Sequence, residues 1–445
     1  MTEPVDVLVA GAGMAGLCAA LAAAEAGARV LVLEKGPAPG GSMRMSGGTV
    51  WTAPSMAIMD RWAPLGDKVR QRLLVEGIDA GLAWLAGHGI PRSFDIDNPR
   101  QTGAGIDVEL MTARLAAEIA ARGGELRLRA ALRSIERGED GAVAGVTADV
   151  AGRRTRIAAR SVILATGGFG GNRELVSRYI TRNAEAMLLR ANPRSVGDGL
   201  LAALDAGART SDNLATFYGH SMPAPPAELP PTRWVAATAY YTQDAVLLNA
   251  RGERFFDESI SMADEQAPAH IADQPGGRAV VILDDRVYRN AAGEEQSPAA
   301  VAANFETAVE AGAPHAIAGS LDELLTVLGP LGFSPVGARR TLEAYNAAVA
   351  AGTSADLPVP RRNNRIAVVE PPFRALVVRA GITFTLGGID TDSTMRVLDR
   401  DGSPIAGLYA AGADAGGTYQ GGYMGGLVLG LVHGRIAGRE AAARG

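Results

Sequence analysis

The chain has 445 residues, of which 47% are hydrophobic and 20% are charged, and its formal net charge is −5 at pH 7. This length predicts about three domains, or one large nucleotide-binding domain with an insertion. The net negative charge excludes a nucleic-acid-binding surface. The sequence also has no cluster of basic residues that would indicate binding to an anionic membrane. The single cysteine, Cys18, excludes a disulfide framework and a cysteine-ligated iron–sulfur cluster.

The N-terminal sequence predicts the cellular location. It reads Met-Thr-Glu-Pro and then enters an apolar stretch, without the charged region and separate apolar core of a signal peptide. No apolar run reaches the length of about 20 residues that spans a bilayer. We therefore expect a cytoplasmic protein without stable membrane insertion.

The first motif is a predicted strand, a glycine turn and an alanine-rich helix. The turn carries Gly11, Gly13 and Gly16, and a second apolar strand ends on Glu34. In the dinucleotide-binding pattern G-x-G-x-x-G, the glycines permit a tight turn, a close approach to the pyrophosphate and close helix packing. The helix N-terminus adds free N–H groups and partial positive charge. Glu34 can accept ribose hydroxyls and would repel a 2′-phosphate, so the motif predicts a dinucleotide other than NADP.

The segment that follows Glu34, from Lys35 to Gly48, is rich in glycine and serine. Its backbone N–H groups and hydroxyls can bond an extended ligand. A flexible surface loop has the same composition. Its position directly after Glu34 favours a loop that wraps around a cofactor.

Further elements follow before residue 222. The predicted helices are at 68–87, 107–122 and 199–206, and the predicted strands are at 126–129 and 161–165. The second of these strands runs into Thr166-Gly167-Gly168, which would bring bare backbone against a cofactor a second time. Asp198 is the predicted N-cap of the helix at 199–206.

Two proline-rich stretches divide the rest of the chain. They begin near Ser221 and at Leu357, and such punctuation is typical of a domain junction. Between them the pattern predicts a strand at 279–283 and helices at 320–328 and 337–351. We therefore expect residues 223–370 to be inserted into a nucleotide-binding domain formed by residues 1–222 and 371–445.

The C-terminal segment carries the second strong signal. A predicted strand ends at Gly412, and a glycine-rich stretch leads into a helix with glycine at 426, 430, 434 and 438. These glycines share one helix face, which lets a flat ligand or another backbone approach closely. The N-terminus of this helix is a second positive helix end, suited to an electron-rich ring.

Together and in this order, these motifs resemble the fumarate reductase/succinate dehydrogenase flavoprotein superfamily, and within it the soluble tricarballylate dehydrogenase-like and 3-ketosteroid Δ1-dehydrogenase-like branch. Besides the glycine turn and the loop, the resemblance rests on residues 165–168, 197–199, 252–258, 383–388 and 407–414. It covers nearly the whole chain. It implies an α/β fold, a Rossmann-like FAD-binding domain in two sequence segments with an inserted α+β capping domain, and a substrate between cap and flavin.

The resemblance also implies which residues bind FAD, and no metal site is expected. The expected FAD-binding residues are Gly11, Gly13, Met14, Ala15, Gly16, Glu34, Lys35, Gly41, Ser42, Ser46, Gly47, Gly48, Leu132, Ala165, Thr166, Gly167, Asn172, Asp198, Gly412, Ala413, Gly425, Gly426 and Leu427. Covalent attachment in the respiratory enzymes uses a histidine in the loop after the acidic residue. Residues 36–50 contain no histidine, so non-covalent FAD is expected.

The departures from the family pattern bear on the substrate. At the places of the fumarate reductases' proton-delivering arginine, a histidine and a carboxylate-binding arginine, this chain has Met262, Phe384 and Tyr423-Met424. The charged groups that bind a dicarboxylate are therefore absent together. Fumarate and succinate are not expected as substrates.

Tyrosines near the C-terminus are the candidate acids and bases in place of the missing arginines and histidine. The steroid-type enzymes have Thr-Tyr-Pro-Gly, which the stretch Thr418-Tyr419-Gln420-Gly421 resembles. The tricarballylate-type pattern instead aligns Tyr423 with its Tyr-Pro-Gly-Gly. We assign catalysis to Tyr423 and Tyr419, with Tyr240 or Tyr241 facing them from the cap. For Tyr240 and Tyr241, a core or rim position with a hydrogen-bonded hydroxyl is favoured over a catalytic role. His220 and Arg379 are weaker candidates.

The expected enzyme is an FAD-dependent oxidoreductase acting on CH–CH bonds. It would desaturate a small-molecule carbonyl substrate by α-proton abstraction and β-hydride transfer to the flavin, with a tyrosine or backbone N–H as oxyanion donor. A tyrosine base needs a pKa lowered from about 10. Electrons would leave to an external acceptor. Two alternatives are a reductase running the reverse reaction and a non-catalytic flavin-binding subunit.

Overall fold

The computed structural model describes residues 4–260, 262–289 and 298–444. The chain forms two compact units. Unit 1 comprises Met1–Tyr179, Ala191–Phe217 and Phe384–Gly445, and unit 2 comprises Ile180–Arg190 and Tyr218–Thr383. The domain limits at 222 and 370 stay sequence predictions.

Helices and strands alternate along much of the chain. The strands are β1 (Val5–Ala10), β2 (Val30–Glu34), β3 (Thr49–Thr52), β4 (Arg92–Asp97), β5 (Thr102–Ile106), β6 (Glu125–Leu128), β7 (Ala130–Arg137), β8 (Val143–Val150), β9 (Arg153–Leu164), β10 (Leu188–Leu189), β11 (Phe217–Pro223), β12 (Val246–Leu248), β13 (Arg278–Leu283), β14 (His315–Ala318), β15 (Phe373–Thr385), β16 (Arg396–Leu398) and β17 (Pro404–Ala410). The helices are α1 (Met14–Glu25), α2 (Met56–Trp62), α3 (Lys68–Gly87), α4 (Val108–Ala121), α5 (Arg173–Tyr179), α6 (Asp198–Asp205), α7 (Ala263–Ala272), α8 (Asp285–Arg289), α9 (Pro298–Glu310), α10 (Leu321–Leu328), α11 (Pro335–Ala351) and α12 (Leu427–Ala443).

The main sheet of unit 1 has the order β16-β17-β9-β1-β2-β6, and β8 and β7 extend it from β9. The pairs β17–β9, β9–β1, β1–β2 and β2–β6 are parallel. The carboxyl ends of these strands therefore meet at one edge, where ligands bind in open α/β sheets. Ala10 pairs with Leu33 and Leu164, and Leu164 pairs with Ala410. The segments after β1, β2, β9 and β17 thus converge although they lie up to 400 residues apart in the chain.

The glycine face of α12 packs on the backbone of α1. A Cβ on Gly434 would lie 2.4 Å from the carbonyl oxygen of Ala15, and one on Gly438 would lie 2.2 Å from that of Ala19. The predicted close approach is confirmed, and its partner is a helix. Cys18 is buried at this interface, where burial raises the pKa of its thiol to about 12, so it is an unreactive core residue.

Unit 2 is built on a second sheet centred on β15. The strands β10, β11, β13 and β14 all pair with β15, and β12 pairs with β13. Alternate residues of β13 enter two different hydrophobic clusters, Val281 with α7 and α9, and Val280 with α10 and α11. Helices therefore cover both faces of this sheet. Together the two units confirm the predicted α/β class and the Rossmann-like architecture.

The helices predicted at 68–87 and 107–122 agree with α3 and α4, and the strand at 161–165 with the end of β9. One local prediction is wrong. The N-cap of α6 is Gly197, at φ 89°, and no side chain caps this helix. Since left-handed backbone favours glycine, the helix begins one residue earlier, and Asp198 is its first residue.

Among the described residues, no helix combines the length and the apolar character needed to cross a bilayer.

Candidate active site

The glycine turn after β1 shows two different reasons for glycine. A Cβ on Gly11 would lie 2.2 Å from the carbonyl oxygen of Ala165, and one on Gly16 would lie 1.9 Å from that of Gly11. Both glycines are therefore required by the packing of the protein itself. Gly13 has ordinary extended backbone, with φ −81° and ψ −166°. The atom nearest to a Cβ placed on Gly13 would be the carbonyl oxygen of Gly40, 4.0 Å away. The space above Gly13 is open at the N-terminus of α1, where no side chain of the described residues caps the helix.

This open space fits a pyrophosphate. The first turn of α1 has unbonded N–H groups and positive partial charge, and a side chain at Gly13 would fill the space in front of them. The resident protein atoms give no other reason for glycine at this position. The turn is therefore shaped for a dinucleotide phosphate.

Glu34 ends β2 beside the turn and is buried. Its carboxylate accepts the N–H of Ala12 at 2.9 Å and that of Gly36 at 2.6 Å. Each carboxylate oxygen can accept a further donor, so the two bonds leave capacity for ribose hydroxyls. The acid thus holds the turn in shape, and its role toward the ribose stays a prediction.

Three other predicted FAD-binding residues make contacts within the protein. Lys35 forms an ion pair with Asp198. Asn172 accepts the N–H groups of Glu174 and Leu175, each at 3.1 Å, so it caps the start of α5. These contacts place the three side chains in unit 1, and their FAD contacts stay predictions.

The remaining predicted FAD-binding residues all lie in unit 1, at the edges and turns of its sheet. They are Met14 and Ala15 in the first turn of α1, Gly41 and Ser42 in the one-turn helix Gly41–Met45, Ser46, Gly47 and Gly48 before β3, Leu132 in β7, Ala165, Thr166 and Gly167 after β9, Gly412 and Ala413 after β17, and Gly425, Gly426 and Leu427 at the start of α12.

Sequence reasoning missed Asp414. This buried carboxylate accepts the N–H of Gly168 at 2.8 Å and both the N–H and the hydroxyl of Thr166. The Thr166 hydroxyl in turn accepts the N–H of Gly199 at 3.0 Å. Burial raises the pKa of Asp414, and the N–H donors oppose this rise. Asp414 therefore joins the segment after β17 to the segment after β9, and its position two residues after Gly412 was the available signal.

Around the N-terminus of α12 lies a group of aromatic rings in unit 1. Tyr423 is 9% exposed, and its ring meets those of Trp51, Tyr419 and Phe384 edge-on, with centroids 5.5, 5.9 and 6.0 Å away. The Tyr423 hydroxyl lies 3.1 Å from the place of a Cβ on Gly426, the N-cap of α12. A hydroxyl is thus held at an uncapped, positive helix end among apolar rings.

The two C-terminal candidate tyrosines differ in what their hydroxyls contact. The Tyr419 hydroxyl donates to the carbonyl oxygen of Met424 at 2.7 Å, and its side chain is 1% exposed. Burial raises the pKa of Tyr419 well above its usual value, and the neighbouring Tyr423 raises it further. The Tyr419 hydroxyl is thus engaged within the loop that carries Tyr423, and the catalytic roles of both tyrosines stay predictions.

The candidates from the middle of the chain lie in unit 2. Tyr241 is buried in a hydrophobic cluster, and burial raises its pKa above the usual value. Arg379 donates to the carbonyl oxygen of Pro223 at 3.2 Å. His220 is 3% exposed and lies between the rings of Tyr218 and Tyr240. Of these residues, His220 belongs to a polar cluster and Tyr241 to the apolar core.

A family model described as FAD binding domain matches residues 6–426. The chain belongs to this family of flavoproteins, and it is an FAD-dependent oxidoreductase. It is 30% identical over 451 residues to "Probable fumarate reductase Ifc3" of Shewanella frigidimarina (strain NCIMB 400), covering 94% of this chain and 71% of that protein. The predicted resemblance to the fumarate reductase superfamily is confirmed.

Two further proteins resemble the chain over most of its length. "4-oxocyclohexanecarboxylate 2-dehydrogenase" of Sinomonas cyclohexanicum is 26% identical over 508 residues, covering 92% of this chain and 87% of that protein. The structure of 3-ketosteroid-delta4-(5alpha)-dehydrogenase from Rhodococcus jostii RHA1 has a TM-score of 0.76 at 23% identity, covering 99% of this chain and 98% of that chain. The likeness to the Rhodococcus jostii structure shows that the two chains share a fold.

We expect Gly13→Ala to fold normally and to bind FAD about tenfold or more weakly. Its backbone suits alanine, but the Cβ enters the phosphate space, and about 1.4 kcal/mol corresponds to that factor. Gly16→Ala is the matched control, expected to lose roughly 1–3 kcal/mol of stability through overpacking. FAD titration of the apoprotein and thermal unfolding measure the two effects. Equal FAD affinity in Gly13→Ala and wild type would contradict the phosphate assignment.

Proposed function

We propose that the protein is an FAD-dependent dehydrogenase that introduces a double bond next to a carbonyl group of a small molecule. The observation that carries this proposal is the Tyr423 hydroxyl at the N-terminus of α12, surrounded by aromatic rings. The resemblance to fumarate reductases places an arginine at this position. A neutral hydroxyl at this position can donate a hydrogen bond to a ketone or ester-like oxygen, or exchange the proton next to such a carbonyl. It suits these groups better than the second carboxylate of a dicarboxylate.

The reaction needs a stabilised enolate because an unactivated C–H group is far too weak an acid. Tyr423 can remove or return the proton, or donate a hydrogen bond to the carbonyl oxygen, and N–H groups near Gly421-Gly422 can supply a second donor. The uncapped N-terminus of α12 stabilises negative charge nearby. Trp51 and Phe384 limit water around the hydroxyl, which strengthens both electrostatic effects.

When bound, FAD supplies the two-electron acceptor for the β-hydride, and an external acceptor then takes the electrons. The substrate loses one proton and one hydride, and the external acceptor finally takes up the two electrons that the hydride carries, so the overall reaction balances. Non-covalent attachment of FAD belongs to this proposal, supported by the absence of histidine from residues 36–50.

The reverse reaction, reduction of an activated double bond, is the second candidate. The likeness to the probable fumarate reductase of Shewanella frigidimarina favours it. Against it, Met262 stands where the resemblance places the proton-delivering arginine, and a thioether has no proton to deliver. Met262 is buried at the start of α7 in unit 2.

Anaerobic mixing of the oxidised holoenzyme with cyclic ketones, steroids and oxo acids tests the proposal. Loss of the flavin absorbance with one saturated compound is the expected result, and it identifies direction and substrate class together. If no saturated compound reduces the flavin but an enone or enoate reoxidises the reduced enzyme, the protein is a reductase. If neither occurs, the non-catalytic alternative replaces both.

A further inference from the structure

Arg190 is a buried cation that has no carboxylate partner in the part of the chain that the structure describes. It follows β10 in unit 2 and is 9% exposed. Its guanidinium contacts the hydroxyl of Thr383, with Nη1 to Oγ1 at 3.4 Å, and Nε has no hydrogen-bond partner among the described residues. No acidic side chain of the described residues lies within ion-pair distance of it.

The other arginines that are equally buried all have carboxylate partners. Arg254 and Arg361 share Glu258, Arg374 pairs with Asp285 at 3.0 Å, and Arg70 pairs with Asp67 at 3.3 Å. Burying an unpaired charge destabilises the folded protein by several kcal/mol. We therefore expect such a charge only where a bound ligand offsets this loss of stability. Arg190 is the exception among the described buried arginines, and this points to a ligand.

Arg190 follows β10 and His220 lies in β11, and both strands pair with β15. The N–H of Arg190 donates to the carbonyl oxygen of Ile382 at 2.8 Å, and a Cβ on Gly381 would lie 3.2 Å from the carbonyl oxygen of His220. His220 Nε2 lies 2.9 Å from the Tyr218 hydroxyl, and Nδ1 is buried without a partner among the described residues. The His220 and Tyr240 rings meet edge-on at 5.2 Å. Burial, followed by the charge of Arg190, lowers the pKa of His220 well below its usual value, so its imidazole is neutral at pH 7. Burial raises the pKa of Tyr240, the charge of Arg190 opposes this rise, and Asp264 and Glu265 add to it, so the hydroxyl stays protonated.

The charge count of this cluster selects a type of ligand. Arg190 supplies one permanent positive charge, His220 and Tyr240 are neutral, and the acids Asp264 and Glu265 also act electrostatically on Tyr240. This balance disfavours a phosphate dianion and matches a single monoanionic group. The planar guanidinium offers two parallel N–H groups, which match the two oxygens of a carboxylate. If the Tyr218 hydroxyl donates to Nε2, then His220 Nδ1 carries a proton and is a further donor.

We propose that Arg190, with His220 and Tyr240 beside it, binds the carboxylate of a monocarboxylic ligand in unit 2. This inference rests on the proposed function in one respect, namely that the ligand is the substrate of the flavin reaction. The substrate class then becomes an oxo acid or a related monocarboxylic acid, whose reacting carbonyl is separate from its carboxylate. Neutral ketones and steroids would lack the group that Arg190 binds.

Equilibrium binding to the oxidised holoenzyme under anaerobic conditions tests the inference without requiring turnover. The probes are 4-oxocyclohexanecarboxylate, cyclohexanecarboxylate and benzoate, each beside its methyl ester. Flavin difference spectra and the rise in melting temperature report binding. We expect at least one acid to bind about tenfold or more tightly than its ester, since a charge-assisted hydrogen bond contributes about 1.5–3 kcal/mol.

The variants separate the charge from the fold. Arg190→Gln should abolish the preference for the acid, Arg190→Lys should retain part of it, and Arg286→Gln, an exposed arginine in the same unit, should retain all of it. Without ligand, Arg190→Gln should not lower the melting temperature, because it removes an unpaired buried charge. Arg374→Gln should lower it, because it leaves Asp285 without its buried partner.

Three results would overturn the inference. They are equal binding of acids and esters, an acid preference that survives in Arg190→Gln, and a loss of stability in Arg190→Gln as large as in Arg374→Gln. The outcomes also separate the two proposals. Acid binding without any flavin reduction would reject the dehydrogenase function and keep the anion site, whereas flavin reduction by neutral ketones alone would reject the anion site and keep the function.

Discussion

In Tyr423→Phe, kcat falls by about 10²–10⁴-fold while FAD occupancy and melting temperature stay close to those of the wild type. This range is typical for the loss of a positioned general acid or base. The substitution removes only the hydroxyl at the N-terminus of α12 and keeps the ring contacts with Trp51, Tyr419 and Phe384. Rapid-reaction measurement of flavin reduction, with the substrate that the anaerobic panel identifies, checks this expectation.

Two other tyrosines provide controls for this experiment. Tyr409→Phe loses a long hydrogen bond to the carbonyl oxygen of Glu440, 3.3 Å away, and should leave kcat unchanged. Tyr419→Phe leaves the buried carbonyl of Met424 unpaired and should cost about 1–3 kcal/mol of stability, with a smaller effect on kcat. An unchanged rate of flavin reduction in fully FAD-loaded Tyr423→Phe would remove Tyr423 from the mechanism.

Asp414→Ala should lower the free energy of unfolding by about 3–5 kcal/mol, in the range for breaking a buried charged network, and should weaken FAD binding as well. The change leaves the N–H groups of Thr166 and Gly168 and the Thr166 hydroxyl without their acceptor. These groups hold the turn after β9 at the edge of the sheet, where the FAD contacts are predicted. Thermal unfolding with and without added FAD measures both effects.

Two further substitutions show whether the acceptor geometry is the cause. Asp414→Asn should lose less stability, about 1–3 kcal/mol, because its amide group can accept at one oxygen but places N–H donors against the second site. Asp401→Ala removes an exposed acid of the β16–β17 hairpin and should change neither stability nor FAD binding. Wild-type stability in Asp414→Ala would show that the two segments are joined by other contacts.

Much of the FAD-binding unit could be predicted because its signals are local. A strand, a glycine turn and a helix within the first 25 residues define a dinucleotide site through backbone geometry alone. The predicted glycine face of α12 was also correct, because i+4 spacing places residues on one helix face whatever they pack against. Its partner, the backbone of α1, could not be predicted, since nothing local in α12 indicates which helix will approach it.

Polar side chains were harder to interpret from their position in the chain. Asp198 was expected to cap a helix, but Gly197 takes that place and Asp198 pairs with Lys35. Asp414 and Thr166 are 248 residues apart and meet only because β9 and β17 are neighbours in a parallel sheet. Arg190 resembles any other arginine until its burial is known, together with the lack of an acidic partner within the described ranges.

The sequence by itself determined the cofactor class, the α/β architecture and the glycines that allow close backbone approach at the turn after β1 and on the face of α12. These properties follow from backbone conformation and residue periodicity, which act over a few residues. The tertiary structure decided which hydroxyl lies at the N-terminus of α12, which acid joins the segments after β9 and β17, and which buried arginine lacks a carboxylate partner among the described residues. Each of these depends on neighbours that the sheet order brings together. Burial then determines the free-energy penalty of each charge.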